Sequence, residues 1–531
     1  MRRAVALPVL LSALTVAAGT ALPATVAVAA PAGSVTVEGT YQHVVADGRD
    51  GRSHAERDLL VAGDKTYRLT LPKGHTLEPG SKVRVKGRLT TTADGPQALT
   101  ADQTTVTAST SDAPAATTQH RVLVILASWT GPDTLTPDAA RHQVFTDADG
   151  WYREVSYGAL GLTGDVTPWL SIAGPDNGLC FTNHRQTMTQ AKEAAKALGY
   201  DAASYDRTVL YHPRSSNPDC SGYAGWAYQP GTEVWLNGVM DRRTSVHELG
   251  HNLGLRHAHA YTCQDTTGTL VAYVSPGCTS NEYGDQFDAM GASFYVGHFS
   301  AAQKAQLGWG SARHADLSAG GSADLAPLSS TTGTVAAKVV EGTRTYWVER
   351  RVASGADAAL PAGGTAGVLV RVTDTSVGKG HGLLDHSPDG DHGSAVLGFG
   401  RAWQLPGGRW LSVGEATAAG VTVTVGDAPL DSTAPGEVTA LAGKVRKRVL
   451  GLAWTNPADT DLAAVRVYLS TSGGDARAVG SLVHEGVGTS ASLPAPGRGE
   501  TWTVLVSTVD AHGNESAGVA GTATSRGLTL S

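Results

Sequence analysis

Residues 247–257 read HELGHNLGLRH, three histidines, a glutamate and two glycines in eleven positions. If the run is helical, His247 and His251 stand four residues apart on one face, and both imidazoles reach a single point. A zinc ion there has only two ligands, whereas a tetrahedral site with one open position needs a third protein ligand. His257 supplies it if the chain leaves the helix soon after His251, and Gly254 can take the left-handed turn without a side-chain penalty. Glu248, beside the first ligand, is placed to take a proton from water whose pKa zinc lowers to about 7. The full pattern arises by chance in about one in ten thousand chains of this composition, so a functional zinc site outweighs stray or structural histidines.

Outward from that helix the pattern mixes helices and strands. RTVLYHP and EVWLNG read as strands just before it, HRVLVILASW as a buried strand further upstream, and QTMTQAKEAAKALGY as a helix. After it, SAAQKAQLGWG reads as a helix with Ser300 and Gln303 as a capping box and Gly308 as the stop. These elements delimit an α+β unit over residues 119–312. Upstream, SVTVEGTY, KTYRLTL and KVRVKGRL alternate apolar and polar residues and predict a small β-barrel or sandwich over 34–108, joined by a linker over 109–118. Downstream, TYWVERRV, GVLVRVTD and GVTVTVGD predict a β-rich domain over 313–430, and a final set of strands fills 432–531.

The whole chain sets limits on this reading. At 531 residues it is too long for one hydrophobic core. Residues 1–29 carry two arginines, an apolar run and small residues near Ala30, the pattern of a signal peptide, and no later run is long and apolar enough to span a bilayer. A secreted, extracellular protein is therefore expected. The formal net charge of −7, without a long basic stretch, argues against nucleic acid as a partner. Four cysteines, Cys180, Cys220, Cys263 and Cys278, read as two disulfides in an exported chain. Three pairings are open; Cys180–Cys220 with Cys263–Cys278 is favoured because the second would staple a short loop, worth about 3 kcal/mol.

His247, Glu248, His251, Gly254 and His257 together reproduce the signature of the metzincin zinc endopeptidases. The resemblance implies a methionine turn beneath the metal, and DAMG supplies Met290. With EVWLNG before the helix, the region resembles the gametolysin (autolysin) branch. Some branches carry a tyrosine two residues after that methionine; here the position is Ala292, and Tyr295 is left unassigned. STAPGEVTAL, LAWTNP and WTVLVSTVDAHGNES resemble a fibronectin type III domain, with Trp502 where such domains often place a tyrosine. The expected fold class is multidomain. An α+β metzincin-like protease domain is flanked by the N-terminal β domain, the β-rich domain and a C-terminal fibronectin type III sandwich.

The function this implies is a secreted endopeptidase with one catalytic zinc ion, hydrolysing peptide bonds through a zinc-bound water with Glu248 as general base. Its partners would be protein or peptide substrates, extracellular glycoprotein or matrix among them. Calcium is left open. The alternative is a secreted adhesion or matrix-binding protein whose metzincin domain is a non-catalytic scaffold; Glu248 argues against it, since a scaffold gains nothing from a base beside the metal. His259 reads as a neighbour or surface residue, and HGLLDHSPDGDHG, residues 381–393, as a solvated loop. The N-terminal β domain occupies the place of a pro-segment. No cysteine precedes Cys180, so any latency it imposes must come from a carboxylate, a histidine or occlusion of the cleft.

Overall fold

The computed structural model describes residues 34–530 apart from 64, 74, 76, 91–96, 109–117, 274–276, 292–295, 376–380, 418, 430–432, 460, 461 and 511–513, and not the side chains of 118 and 362. The signal peptide expected over 1–29, residues 109–117 of the linker expected over 109–118, Ala292 and Tyr295 lie outside the described residues, and Thr118 opens a strand.

The largest sheet has eleven strands and crosses from the N-terminal stretch into the histidine-bearing region. Its N-terminal members are β1 (Ser34–Gly48), β2 (His54–Ala62), β3 (Lys65–Thr70), β4 (Lys82–Thr90) and β5 (Ala98–Ala108). The others are β6 (Thr118–Ser128), β7 (Leu160–Val166), β8 (Leu170–Ser171), β9 (Arg207–His212), β10 (Tyr223–Tyr228) and β11 (Glu233–Asn237). Along the sheet they run β2, β3, β5, β4, β1, β10, β11, β9, β6, β7, with β8 on β6. The 15-residue β1 is long enough, about 50 Å at the usual rise, to serve both halves. Its first part pairs with β4, and Val44–Gly48 runs antiparallel to β10.

Period-two alternation explains the layers on either face. In β6, Val122, Val124 and Leu126 enter one core while Leu123, Ile125 and Ala127 enter the other. The helical stretch containing α1 (Pro137–His142) and α2 (Asp149–Val155) covers the first face, together with α4 (Arg242–Asn252). α3 (His184–Ala197) covers the second through Met188, Ala191 and Ala195. Val44 and Ala46 of β1 join this second core beside Trp226 and Trp235. By the pleat, Val45 and Asp47 then face the opposite way, toward α4.

Beyond the histidine run, β12 (His259–Gln264) begins a nine-stranded sheet that includes Ala336–Glu341, Arg344–Arg350 and Gly367–Asp374. A four-stranded sheet packs on it through Val339, Val348, Val370, Leu411 and Val423. The last sheet has eight strands around Leu450, Leu452, Trp454, Val465, Val467, Val504 and Val506. α5 (Ala301–Gln306) is capped by Ser300, whose side chain accepts from the Gln303 N–H, and Gly308 has φ 73°.

The expected α+β metzincin class is overturned. The protein is mostly β, 45% strand against 16% helix, in several sheets. Among the described residues the helices are short, 14 residues at the longest, and the stretch after His257 forms the strands His259–Gln264, Leu270–Val271 and Cys278–Asn281. β12 lies parallel to His381–Leu384, with His259 opposite Gly382, which ties the histidine region to the sheet after it. His381–Leu384 is thus a buried strand, not part of a solvated loop. The chain forms both favoured disulfides, Cys180–Cys220 and Cys263–Cys278. Among the described residues, no helix is long and apolar enough to cross a membrane.

Candidate metal centre

α4 starts at Asp241, whose carboxylate accepts from the Thr244 N–H at 2.7 Å. Every residue from Ser245 to Asn252 is buried, so His247, Glu248 and His251 point into protein on all sides. The helix ends as Gly254 turns left-handed at φ 94°, with its N–H on His251 O and the Leu255 N–H on Gly250 O. That reversal returns His257 to the two helical histidines, and the three ring centroids lie 4.8 to 5.5 Å apart. Met290 is fully buried against this helix. A Cβ at Gly250 would stand 2.5 Å from the Met290 sulfur, so glycine at this position is what lets the methionine seat against the helix.

Each imidazole has its Nδ1 engaged away from the centre. His247 Nδ1 is 2.8 Å from Ala289 O, His251 Nδ1 is 2.9 Å from Leu255 O, and His257 Nδ1 is 2.5 Å from the Glu282 carboxylate. Carbonyl and carboxylate oxygens only accept, so each Nδ1 carries a proton; the Nε2 lone pairs of His247 and His251 face inward, while His257 Nε2 meets Asp47 Oδ1 at 2.8 Å and donates to it when no ion is bound. A carboxylate on the outer nitrogen of a ligating histidine also orients the ring and raises its basicity.

The fourth group at the centre is one the sequence reading did not contain. Asp47 of β1 lies 8% exposed among the histidines. Its Oδ1 is 2.8 Å from His257 Nε2 and 3.3 Å from His247 Nε2, and its Oδ2 is 3.3 Å from His251 Nε2. The Tyr283 hydroxyl donates to the same Oδ1 at 2.5 Å, and its ring lies 4.0 Å from that of His257. Tyr283 and Glu282 were also missed. They return to the centre at the end of the hairpin closed by Cys263–Cys278, and no spacing rule in NEYGD marks them.

Donors run short at this centre. Asp47 Oδ2, His247 Nε2, His251 Nε2 and Glu248 Oε2 are buried without a hydrogen-bond partner. Leaving such groups unanswered costs about 1–3 kcal/mol apiece. Four ligand atoms, one each from Asp47, His247, His251 and His257, lie within 4.8 Å of one another. A divalent cation answers all of them together, and three imidazole nitrogens with one carboxylate oxygen are a donor set that suits zinc. The residues therefore fit the expected ion.

The charges follow from burial. Burial pushes His251 down to about 4, against the pull of Asp47. His257 is raised to about 9 because Asp47 and Glu282 outweigh its burial. Burial opposes ionisation of Asp47, yet His247 and His257 hold its carboxyl well below the ordinary range. Glu248 is pushed well above its ordinary value, first by burial and then by the Asp47 charge. Glu248 sits close to β10 because residue 225 is glycine: a Cβ there would lie 2.6 Å from Glu248 Oε1. Gly225 is also the cross-strand partner of Asp47. His259 is outside the centre, with its Nδ1 2.8 Å from Ser280 Oγ.

No family model and no curated protein matches this chain. Matches among solved structures are partial. The spore cortex lytic enzyme SleM of Clostridium perfringens is 16% identical over 23% of this chain and 37% of its own, at a TM-score of 0.16. A Fn3-like protein from Clostridium thermocellum is 21% identical over 16% of this chain and 86% of its own, at 0.14. The glycoside hydrolase domain of Endo-D from Streptococcus pneumoniae is 18% identical over 21% and 18%, at 0.15. This chain spans little more than a third of SleM, and likenesses at such scores carry no functional argument.

Proposed function

We propose that this protein is a secreted, zinc-dependent endopeptidase. The observation that carries the reading is the convergence of three imidazole Nε2 atoms, each with its outer nitrogen engaged, beside a buried glutamate. His247, His251 and His257 would hold the ion. Zinc bound there supplies a Lewis acid that polarises a peptide carbonyl and acidifies water.

The chain's own groups do the rest. The Glu248 carboxylate accepts a proton from the attacking water as the new C–O bond forms, then delivers it to the amine nitrogen as the C–N bond breaks. Gly225 leaves the space in which that carboxylate stands. Glu282 keeps the His257 ring turned toward the centre, and Met290 supports the helix from below. Two disulfides and the leader-like first residues support an extracellular setting.

The test is cleavage of a mixed peptide library by full-length protein, wild type and Asp47→Ala, with and without a zinc chelator, alongside zinc content per chain. Chelator-sensitive cleavage by either form supports the peptidase reading. Stoichiometric zinc with no cleavage by either form overturns it.

A further inference from the structure

We propose that Asp47 is the fourth protein ligand of the metal, so that β1 closes the site from within the chain. This rests on the zinc reading above and adds what fills the position that catalysis needs open. Zinc sites with four protein ligands are closed, and those that act on substrates keep one position free. Among the described residues, Asp47 is the group that completes the three-histidine set.

Its placement is built by several independent features. Val44 and Ala46 are anchored in the core beside Trp226, which fixes the register and, through the pleat, aims Asp47 at α4. Backbone bonds hold the strand on both sides: the Gln229 N–H donates to His43 O at 2.9 Å and the Arg49 N–H to Gly222 O at 3.0 Å. The Arg49 guanidinium bonds Asn237 O and Ser221 O. Tyr283 donates to Asp47 Oδ1, and Gly225 opposite keeps the two carboxylates, Asp47 and Glu248, from being wedged apart by a side chain.

The strand obstructs a second feature as well. In the sheet order, β10 stands between β1 and β11, so without β1 it would be an edge with unpaired backbone groups. An extended peptide adds to such an edge through the same ladder that Val44–Gly48 makes. Asp47 and its strand therefore occupy both the ion's open position and the backbone path leading to it. A carboxylate suits the task, because it offsets one of the ion's two positive charges where thiols are absent from the N-terminal segment.

The experiment uses full-length protein loaded with Co(II) in place of zinc, wild type, Asp47→Ala and the isosteric Asp47→Asn, probed with acetohydroxamate. In the wild type, magnetic resonance in D₂O should show no exchangeable solvent on the metal, and the visible spectrum should not respond to the probe. Asp47→Ala should gain the solvent signal and bind the probe at least about tenfold more tightly, as removal of a competing occupant requires. Asp47→Asn should fall between them. Solvent on the wild-type metal, a measurement that needs no variant, or an Asp47→Ala spectrum and probe affinity equal to wild type, overturns the proposal. If the probe binds Asp47→Ala but no peptide is cut by any form, Asp47 stands as the ligand and the peptidase reading falls.

Discussion

Two buried clusters of titratable groups lie close together in this protein, and they are built in opposite ways. Asp285, Asp288 and His381 bring ligand atoms within 4.8 Å of one another, as do Asp47, His247, His251 and His257. In the first cluster the acceptors are answered. Arg371 Nε donates to Asp285 at 2.6 Å, the Phe287 N–H to the other Asp285 oxygen at 2.9 Å, and the Met290 and Ser300 N–H groups to Asp288 at 2.9 and 2.8 Å. In the second, Tyr283 and His257 answer Asp47 Oδ1, but Asp47 Oδ2, His247 Nε2 and His251 Nε2 have no hydrogen-bond partner. Residue type alone does not distinguish them. The balance of donors and acceptors does: it makes one cluster an internal brace and leaves the other with acceptors that a cation would answer.

The largest effects should come from splitting roles within the second cluster. Glu248→Ala removes the base and no ligand, so zinc content should stay at one per chain while turnover falls about 10²- to 10⁴-fold relative to the active form. His257→Ala should instead weaken zinc affinity by on the order of 10²-fold or more, and lose activity with it. Zinc content of the two folded variants, measured side by side, checks the division. If Glu248→Ala loses its zinc, the assigned role is wrong.

Next is the brace. Arg371→Met leaves Asp285 buried without its guanidinium and Glu349 with Arg351 alone, and should destabilise the protein by about 3–5 kcal/mol in denaturant unfolding. Its folded fraction should still bind zinc with wild-type affinity. A loss of metal at constant fold would mean that the two clusters are not separate.

Glu282→Gln is a milder perturbation of the cation site. It removes the charge behind His257 without removing a ligand, and metal affinity should fall about 10- to 100-fold. Competition with a fluorescent chelator reads this directly, and an unchanged affinity would make Glu282 a bystander.

Acid separates the clusters with no mutation. Asp288 and Glu349 are held down to about 2, because His381 and the arginines respectively outweigh the cost of burial. Depressed carboxyl pKa values give stability that is complete above the unfolded values of about 4 and is lost as pH falls toward 2. Histidine ligands must be deprotonated to hold a metal, and His257 takes up its proton near 9 and His251 near 4, both above the carboxyls at about 2, so zinc should leave first as pH falls. Zinc release, followed with a dye, should therefore precede loss of circular dichroism. Coincident transitions would tie the ion to global stability.

Some of the site could be read directly. His247, Glu248 and His251 are related by the pitch of one helix, and Gly254 turns the chain so that His257, three residues later, reaches the same point. Met290 is buried against the same helix at Gly250. The α5 cap and both disulfide pairings were equally legible, since each depends on short sequence separations or few alternatives. The mostly β class was not. Nothing in HRVLVILASW or SVTVEGTY states that the two stretches belong to a single sheet.

The convergence of the three histidines at the candidate metal centre was thus determined by eleven consecutive residues, because helix pitch and one left-handed glycine are properties of the nearby chain. Tertiary structure decided what faces that centre. Asp47 is 210 positions from His257 and lies in a strand whose alternation fits either face equally well. Only the register of β1 against β10, set by Val44 and Ala46 packing beside Trp226, turns its carboxylate toward the histidines. A one-residue slip would have turned it away. Pairing across such distances is fixed by packing energies summed over many residues, which no short stretch of sequence contains.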